Sequence, residues 1–163
     1  MKMKTLYFAY GANINADDMA WRCPQAKPVG AFELRNWQLE LYCHATIEPK
    51  QGSSVHGTMW ELTEDCERAL DMFEGYPSYY TKRTWYQDGH WFFFYEMTDP
   101  KSGTPSEGYI RGIANGYNQW QLPQIKLKEA LDRTYNTQSG DREYLSYLCD
   151  YAQARASSDL SIS

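Results

Sequence analysis

The chain has 163 residues and a formal net charge of −5, with 42% hydrophobic and 23% charged residues. These values are typical of one soluble globular domain with a sizeable core. The negative charge disfavours general binding to nucleic acid or to an anionic membrane surface. The longest apolar run, Trp91 to Tyr95, is far too short to span a bilayer.

Cysteine spacing and the start of the chain both indicate where the protein works. The four cysteines, Cys23, Cys43, Cys66 and Cys149, are widely spaced and form no C-x-x-C pair, which is typical of reduced, mostly buried thiols. The first residues lead into only a short apolar run that ends at Gly11, which is unlike a secretory signal. The sequence therefore predicts a cytoplasmic protein.

The first predicted strand, Leu6 to Tyr10, leads straight into a tight turn. Gly11 to Asn15 allow a partly left-handed backbone whose N–H groups converge on one point and can hold a carboxylate or an oxyanion. Gly and Asn are also the usual residues of a plain strand-to-helix turn, so this reading stays open. Asn15 is a suitable N-cap for a short helix, which Cys23-Pro24 ends.

The middle of the chain alternates between strands and turns. The further predicted strands are Pro28 to Arg35, Trp37 to Tyr42, Val55 to Leu62, Tyr80 to Gln87 and His90 to Met97. Glu48 to Ser53 predicts a turn, and Asp88-Gly89 is a strong hairpin signal. These hairpin-linked strands favour an α+β fold, with an antiparallel sheet or small β-barrel and flanking helices, over a doubly wound parallel sheet.

The last third of the chain is predicted to be helical. After a loop from Thr98 to Pro105, Ser106 can cap one helix and Pro123 can open a second. The expected apolar positions of the second helix are Ile125, Leu127, Ala130 and Leu131. A third helix is predicted from Tyr144 to Ala152, before a frayed tail. We expect a domain at residues 1–135 and a helical extension at 136–163.

Glu74 is the residue that the sequence places most unusually. Thr63 is a good N-cap, Cys66, Ala69, Leu70 and Phe73 predict a buried stripe, and Gly75 ends the helix before Pro77. Glu74 therefore lies in the last turn, at the negative end of the helix dipole and beside apolar side chains. Both conditions favour the protonated form and raise its pKa. It is either a residue that takes and returns a proton or a solvated carboxylate at a helix end.

Other chemistries find little support in the sequence. His44, His56 and His90 form no zinc-binding pattern, and there is no nucleophile elbow and no phosphate-binding glycine loop. We therefore predict no metal and no cofactor. Lys82-Arg83 is predicted to lie on a solvated strand face.

Several segments together resemble one family. Tyr7 to Ile14, Val55 to Leu62 and Leu70 to Pro77 occur in the order and spacing of the γ-glutamylcyclotransferase-like family, over roughly residues 5 to 97. The Tyr-Gly-x-Asn turn and the Leu-Asp-x-x-Glu-Gly helix end are that family's two active-site segments. Tyr109 to Pro123 is similar to the helical end of bacterial members.

The resemblance implies a small barrel with flanking helices and a metal-independent reaction. In it, the α-amine of a γ-glutamyl group attacks its own γ-carbonyl, which releases an amine and leaves 5-oxoproline. Glu74 would be the general acid/base. The implied substrate-binding residues are Tyr10, Gly11, Ala12, Asn13 and Ile14 of the turn, together with Tyr80 and Tyr95. The family's usual serine in the turn is Ala12 here, which keeps the backbone amide but removes a hydroxyl.

Two functions remain open at this stage. The first is a cyclotransferase that acts on a γ-glutamyl-amine or γ-glutamyl amino acid. The second is a non-catalytic module of the same fold that binds a small carboxylate or a protein partner, which Ala12 and the aromatic excess also allow. Tyr117 and Trp120, with the later helices, are the candidate interface of a homodimer. Neither function requires a nucleic acid or a membrane.

Overall fold

The computed structural model describes residues 4–101 and 103–138, with side chains as far as Tyr135. The strands are β1 (Thr5–Ala9), β2 (Lys27–Leu41), β3 (Ala45–Leu62), β4 (Tyr80–Gln87) and β5 (His90–Met97). The helices are α1 (Ala16–Arg22), α2 (Glu64–Glu74), α3 (Glu107–Gln119) and α4 (Gln124–Gln138), and a 3₁₀ turn, Ala12–Ile14, joins β1 to α1. In the described part of the chain, no helix is long and apolar enough to cross a membrane.

The five strands form one sheet in the order β2-β3-β1-β5-β4. All neighbouring strands are antiparallel except β1 and β5, which run parallel. This confirms the predicted α+β class and the mainly antiparallel sheet. Tyr7 of β1 is in register with Phe93 of β5, and β1 thereby joins the two hairpins of the sheet.

The sheet curls but does not close, so the prediction of a barrel needs correction. No backbone ladder joins β2 to β4, the two edge strands of the described residues. Instead, the Gln87 side chain donates to the Glu33 carbonyl at 2.9 Å and accepts from the Arg35 N–H at 2.9 Å. Trp37 and Trp85 meet edge to face across the same gap, with ring centroids 5.2 Å apart. Side chains therefore connect the edges where a barrel would have backbone hydrogen bonds.

One predicted turn is wrong. Glu48 to Ser53 do not reverse the chain, because β3 continues through them and the reversal lies at residues 42–44. The pairing jumps from Trp37 opposite Pro49 to Arg35 opposite Ser54, so residues 50–53 bulge out opposite Asn36. The bulge is stabilised because the Asn36 side chain, on a left-handed backbone (φ 68°), accepts from the Gly52 N–H at 3.1 Å. The turn residues here belong to a bulge within the β2–β3 hairpin. Composition alone does not distinguish such a bulge from the turn at the end of a hairpin.

Both faces of the central strands are buried. Phe8, Phe32 and Phe92 pack together inside the curl of the sheet, while Tyr7 and Phe93 stack on the opposite face, with ring centroids 5.2 Å apart. This double burial explains the unbroken aromatic run of β5, since a strand that is covered on both faces shows no polar alternation.

The predicted helix boundaries are largely confirmed. The side chains of Asn15, Thr63 and Ser106 cap α1, α2 and α3 by accepting backbone N–H groups in the first turn. The Asp88-Gly89 hairpin is also confirmed, with positive φ at both residues. Three apolar positions were wrong: Ile125 is 56% exposed, Phe73 is 50% exposed, and Ala69 lies outside the buried stripe of α2.

The aromatic residues of α3 belong to the core of the chain. Tyr117 is fully buried, and Trp120 packs edge to face on Trp60 while its indole N–H donates to the Ile14 carbonyl at 2.8 Å. Tyr117 therefore has no exposed ring to offer to a partner, Trp120 is partly buried, and the homodimer itself stays a prediction. α4 runs past the predicted boundary at residue 135. The predicted third helix and tail lie outside the described residues.

We expect Gly57→Ala to destabilise the fold strongly. A Cβ at Gly57 would lie 2.1 Å from the Ala9 carbonyl oxygen and 2.7 Å from the Phe8 ring, so two strands would have to separate. A loss of about 2–3 kcal/mol in the free energy of unfolding should follow in urea denaturation. Gly108→Ala is the matched control: a Cβ there meets nothing within 4 Å, and alanine favours the helix. Equal stability of the two variants would contradict the packing argument.

Candidate active site

A cavity of about 190 Å³ opens where β1, the 3₁₀ turn and the C-terminal end of α2 meet. The ends of β4 and α3 complete its wall. Most of the described lining side chains are aromatic, and Glu74 is the only carboxylate among these described residues. The lining residues are Tyr7, Tyr10, Gly11, Ala12, Asn13, His44, Ala45, Phe73, Glu74, Tyr79, Tyr80, Tyr95 and Tyr109.

Glu74 reaches this cavity because α2 ends directly after it. Gly75 adopts a left-handed backbone (φ 65°) and its N–H closes the helix on Asp71 and Met72. Glu74 is thereby half-buried, and Oε1 accepts a hydrogen bond from Asn13 Nδ2 at 3.3 Å. Burial raises the pKa of Glu74 to about 7, and the positive charge of Arg22 opposes this rise. The predicted direction of the shift agrees with the structure, and the cause is mainly burial.

Asn13 is the centre of a hydrogen-bond network around Glu74. Besides the bond to Glu74, its Nδ2 donates to Tyr7 Oη at 3.0 Å. Its Oδ1 accepts from Arg22 Nη1 at 2.8 Å, and its backbone carbonyl accepts from Trp60 Nε1 at 3.1 Å. The side chain is buried, as these partners require. The predicted role of Asn13 concerned only its backbone amide, and Arg22 was not predicted to be part of the site.

The turn that follows β1 presents part of its backbone to the cavity. Gly11, Ala12 and Asn13 line the cavity, as predicted. Ile14 does not line it: its side chain is fully buried, and its N–H donates to the Gly11 carbonyl at 3.0 Å. Gly11 is tightly packed, since a Cβ there would lie 3.3 Å from the Cβ of Ala45. An anion could therefore meet the start of the turn but not the Ile14 amide.

The three predicted tyrosines line the cavity, and each hydroxyl already donates to a protein acceptor. Tyr10 Oη donates to the Tyr95 carbonyl and Tyr80 Oη to the Ala45 carbonyl, both at 2.5 Å. Tyr95 Oη donates to Asp71 Oδ1 at 2.6 Å. Burial raises the pKa of all three phenols, so they are neutral near pH 7. They shape the wall and can still accept a hydrogen bond from a ligand.

Six lining residues were not among the predicted site residues, and two of them, Tyr7 and Ala45, belong to β1 and β3. His44 Nδ1 lies 2.8 Å from Tyr79 Oη, and the His44 ring also contacts Tyr109 edge to face. Tyr109 Oη accepts from the Ala45 N–H at 2.9 Å. Phe73, half exposed, lies at the rim. The other four come from the β2–β3 turn, the segment before β4, α3 and α2, and no local pattern connects such distant positions.

Lys82 was wrongly predicted to be solvated. Its ammonium lies 2.7 Å from Asp71 and 2.8 Å from Glu67, and it sits 4.7 Å from the centroid of the Tyr76 ring. Asp71 also accepts a hydrogen bond from Tyr95 Oη. Lys82 therefore helps to fix the carboxylate that binds this cavity tyrosine.

In the described residues, no group of three or more His, Cys, Asp or Glu side chains is arranged to hold a metal ion.

A half-buried carboxylate with a raised pKa, at the wall of an aromatic cavity that also contains a turn of backbone amides, is an arrangement typical of general acid–base sites. A protein-family model described as gamma-glutamyl cyclotransferase, AIG2-like, matches residues 7–117. The chain belongs to this family. No sequence among curated proteins matched the chain.

Solved structures with the same fold agree with this assignment. A structure named gamma-glutamyl cyclotransferase is 25% identical, with a TM-score of 0.70, and the match covers 78% of this chain and 86% of the other. An uncharacterised protein from Homo sapiens is 26% identical over the same shares, with a TM-score of 0.69. YkqA from Bacillus subtilis shares the fold at 17% identity, with a TM-score of 0.64, and the match covers 82% of this chain and 55% of that protein.

We expect Glu74→Gln to stabilise the protein at alkaline pH and not at acidic pH. The folded pKa of Glu74, about 7, lies above that of an unfolded glutamate, so wild-type stability falls as pH rises from about 4.5 to 7. The glutamine variant avoids this loss. Urea denaturation at pH 8 should show a gain on the order of 2 kcal/mol, after allowance for partial solvent contact, which vanishes near pH 4. A gain of equal size at both pH values would show that proton binding at Glu74 is not its cause.

Proposed function

We propose that this protein is a γ-glutamyl cyclotransferase, which releases 5-oxoproline and a free amine from a γ-glutamyl-amine or γ-glutamyl amino acid. The observation that carries the proposal is the position of Glu74, half-buried with a pKa about 7 at the wall of the cavity. A carboxylate with this pKa can accept and return a proton near neutral pH. Family membership and the name of a 25% identical structure support the same reaction.

The proposed reaction needs no nucleophile from the protein. The substrate's α-amine gives a proton to Glu74 and attacks the γ-carbonyl carbon, which forms the ring C–N bond. The proton then passes from Glu74 to the leaving nitrogen as the original amide C–N bond breaks. Suitably oriented internal attack can reach effective molarities of about 10⁵ M or more, so holding the substrate in a folded-back conformation supplies much of the rate.

Each wall of the cavity has a role in this proposal. The start of the turn, at Gly11, Ala12 and Asn13, receives the α-carboxylate through backbone N–H groups. The neutral tyrosines exclude water and define the shape of the glutamyl site. The leaving amine lies toward the exposed rim, where Phe73 and Tyr79 are 50% and 43% exposed. We place the reaction in the cytoplasm, because Cys23, Cys43 and Cys66 are free thiols.

The proposal predicts that Glu74→Gln slows turnover strongly. Incubation of a panel of γ-glutamyl amines and amino acids with the wild-type protein should yield 5-oxoproline, measured by mass spectrometry. The glutamine variant should be at least about 100-fold slower, because the proton carrier is lost. Activity of the wild-type protein, as kcat/KM, should fall below a pH of about 7, where Glu74 becomes protonated.

The controls separate catalysis from binding. Glu96→Gln removes a carboxylate that pairs with Arg83 outside the cavity and should leave turnover unchanged. Full activity of Glu74→Gln would contradict the mechanism. Stabilisation of the wild-type protein by 5-oxoproline or γ-glutamyl compounds in a thermal shift assay, with no turnover across the panel, would favour the alternative of a non-catalytic binding module.

Ala12→Ser tests the departure from the family's usual turn. The serine would add a hydroxyl beside the proposed carboxylate site without changing the backbone amide. We expect KM to fall about three- to tenfold with kcat little changed, since one added hydrogen bond contributes about 0.5–1.5 kcal/mol to binding. A change confined to kcat would indicate that position 12 faces the reacting atoms instead of the carboxylate.

A further inference from the structure

Arg22 is the charged residue of the site whose role the proposed function does not use. It is the last residue of α1 and half-buried, and its guanidinium lies 3.9 Å from the centroid of the Phe73 ring. Its Nη1 donates to Asn13 Oδ1 at 2.8 Å. Arg22 is therefore held between the residue that precedes Glu74 in α2 and the residue that donates a hydrogen bond to Glu74.

The chemistry of arginine determines how the Asn13 side chain is oriented. A guanidinium donates hydrogen bonds and accepts none, so Asn13 must turn its carbonyl oxygen toward Arg22. The NH₂ end then faces the opposite way, toward Tyr7 Oη at 3.0 Å and Glu74 Oε1 at 3.3 Å. In the reverse orientation, the amide oxygen would face the carboxylate and the two groups would repel each other.

We propose that Arg22 is a positioning residue, which locks the Asn13 side-chain amide so that its NH₂ group holds one oxygen of Glu74 in the cavity. The inference rests on the proposed function, because it gives this contact a purpose: one carboxylate oxygen is fixed while the other meets the substrate proton. Arg22 itself is not among the residues that line the cavity. It acts through Asn13.

The other titratable groups around Glu74 do not account for the same effect. Arg22 lowers the pKa of Glu74 against the larger effect of burial. Phenols face Glu74 from the neighbouring elements and are neutral near pH 7, because burial raises the pKa of each. They are Tyr7, Tyr10, Tyr79, Tyr80, Tyr95 and Tyr109. Asp71, one turn earlier on α2, is paired with Lys82, and His44, which also lines the cavity, has its Nδ1 2.8 Å from Tyr79 Oη. Arg22 and Asn13 are therefore the pair to vary.

A double-mutant cycle on the titration of Glu74 tests the proposal. The proteins are the wild type, Arg22→Gln, Asn13→Leu and the double variant, each labelled with ¹³C in the glutamate side-chain carboxyl. NMR follows the carboxyl shift with pH, and Glu74→Gln assigns the signal. We expect Arg22→Gln to raise the midpoint by about one pH unit in the wild-type background. In the Asn13→Leu background the same change should be less than half as large, because the amide through which Arg22 acts is gone.

The outcomes separate positioning from a simple charge effect. An equal shift in both backgrounds would mean that Arg22 acts only as a nearby positive charge, and no shift in either would mean that it has no influence; both results overturn the proposal. Arg83→Gln is the matched control, since Arg83 also lies over an aromatic ring, that of Trp37, but pairs with Glu96, and neither of these partners lines the cavity. It should leave the Glu74 midpoint unchanged.

The design also separates this inference from the proposed function. The titration of Glu74 needs no turnover. A wild-type protein that releases no 5-oxoproline would refute the proposed function, and the double-mutant cycle on the Glu74 midpoint could still be measured. If turnover is found, the acid limb of the kcat/KM profile should shift with the same non-additivity. Arg22→Met, which keeps an apolar stem over Phe73, replaces Arg22→Gln should that variant not fold, and Asn13→Ala replaces Asn13→Leu.

Discussion

A single buried amide side chain, that of Asn13, holds the site together. A buried amide must satisfy both its oxygen and its nitrogen, and here the partners come from three different elements. Arg22 comes from α1, Tyr7 from β1 and Glu74 from α2, while Trp60 of β3 binds the backbone carbonyl of the same residue. The turn after β1 can therefore take only one position relative to the end of α2. The distance between the proposed carboxylate site and the proposed proton carrier follows from that constraint.

The second requirement is a helix that stops at the right residue. Thr63 fixes the start of α2 and Gly75 fixes its end. Glu74 is therefore the last helical residue, and no further turn of the helix separates it from the cavity. Insertion of one residue into α2 before Glu74 would rotate the carboxylate by about 100° about the helix axis, away from the cavity. The same stop leaves Phe73 at the rim, where it packs under Arg22. The end of α2, which depends on local sequence, thus determines the position of both the proposed acid/base group and the edge of its cavity.

Local signals explain how much of this could be predicted. Caps such as Thr63 and Ser106, and the Asp88-Gly89 turn, act through neighbouring residues, so the sequence contains all that is needed to place them. The partners of Glu74 depend on contacts between distant segments. Tyr109 reaches the cavity only because α3 packs on the turn after β1, and no spacing along the chain records this. Lys82 was misread for the same reason, since its partners lie on another element.

The bridge at Gln87 has a further consequence for how the protein meets its own copies. An open sheet has two edges whose free N–H and C=O groups can pair with a strand of another molecule. Here a side chain of the β4 edge binds the β2 edge. Like a peptide group, the Gln87 amide both donates and accepts: it donates to the Glu33 carbonyl and accepts from the Arg35 N–H. The Arg35–Asp88 ion pair adds charge at the same place. The Gln87 side chain therefore occupies part of the β2 edge that a strand of another molecule would need for pairing, at a seam where a closed barrel would have had a row of backbone hydrogen bonds.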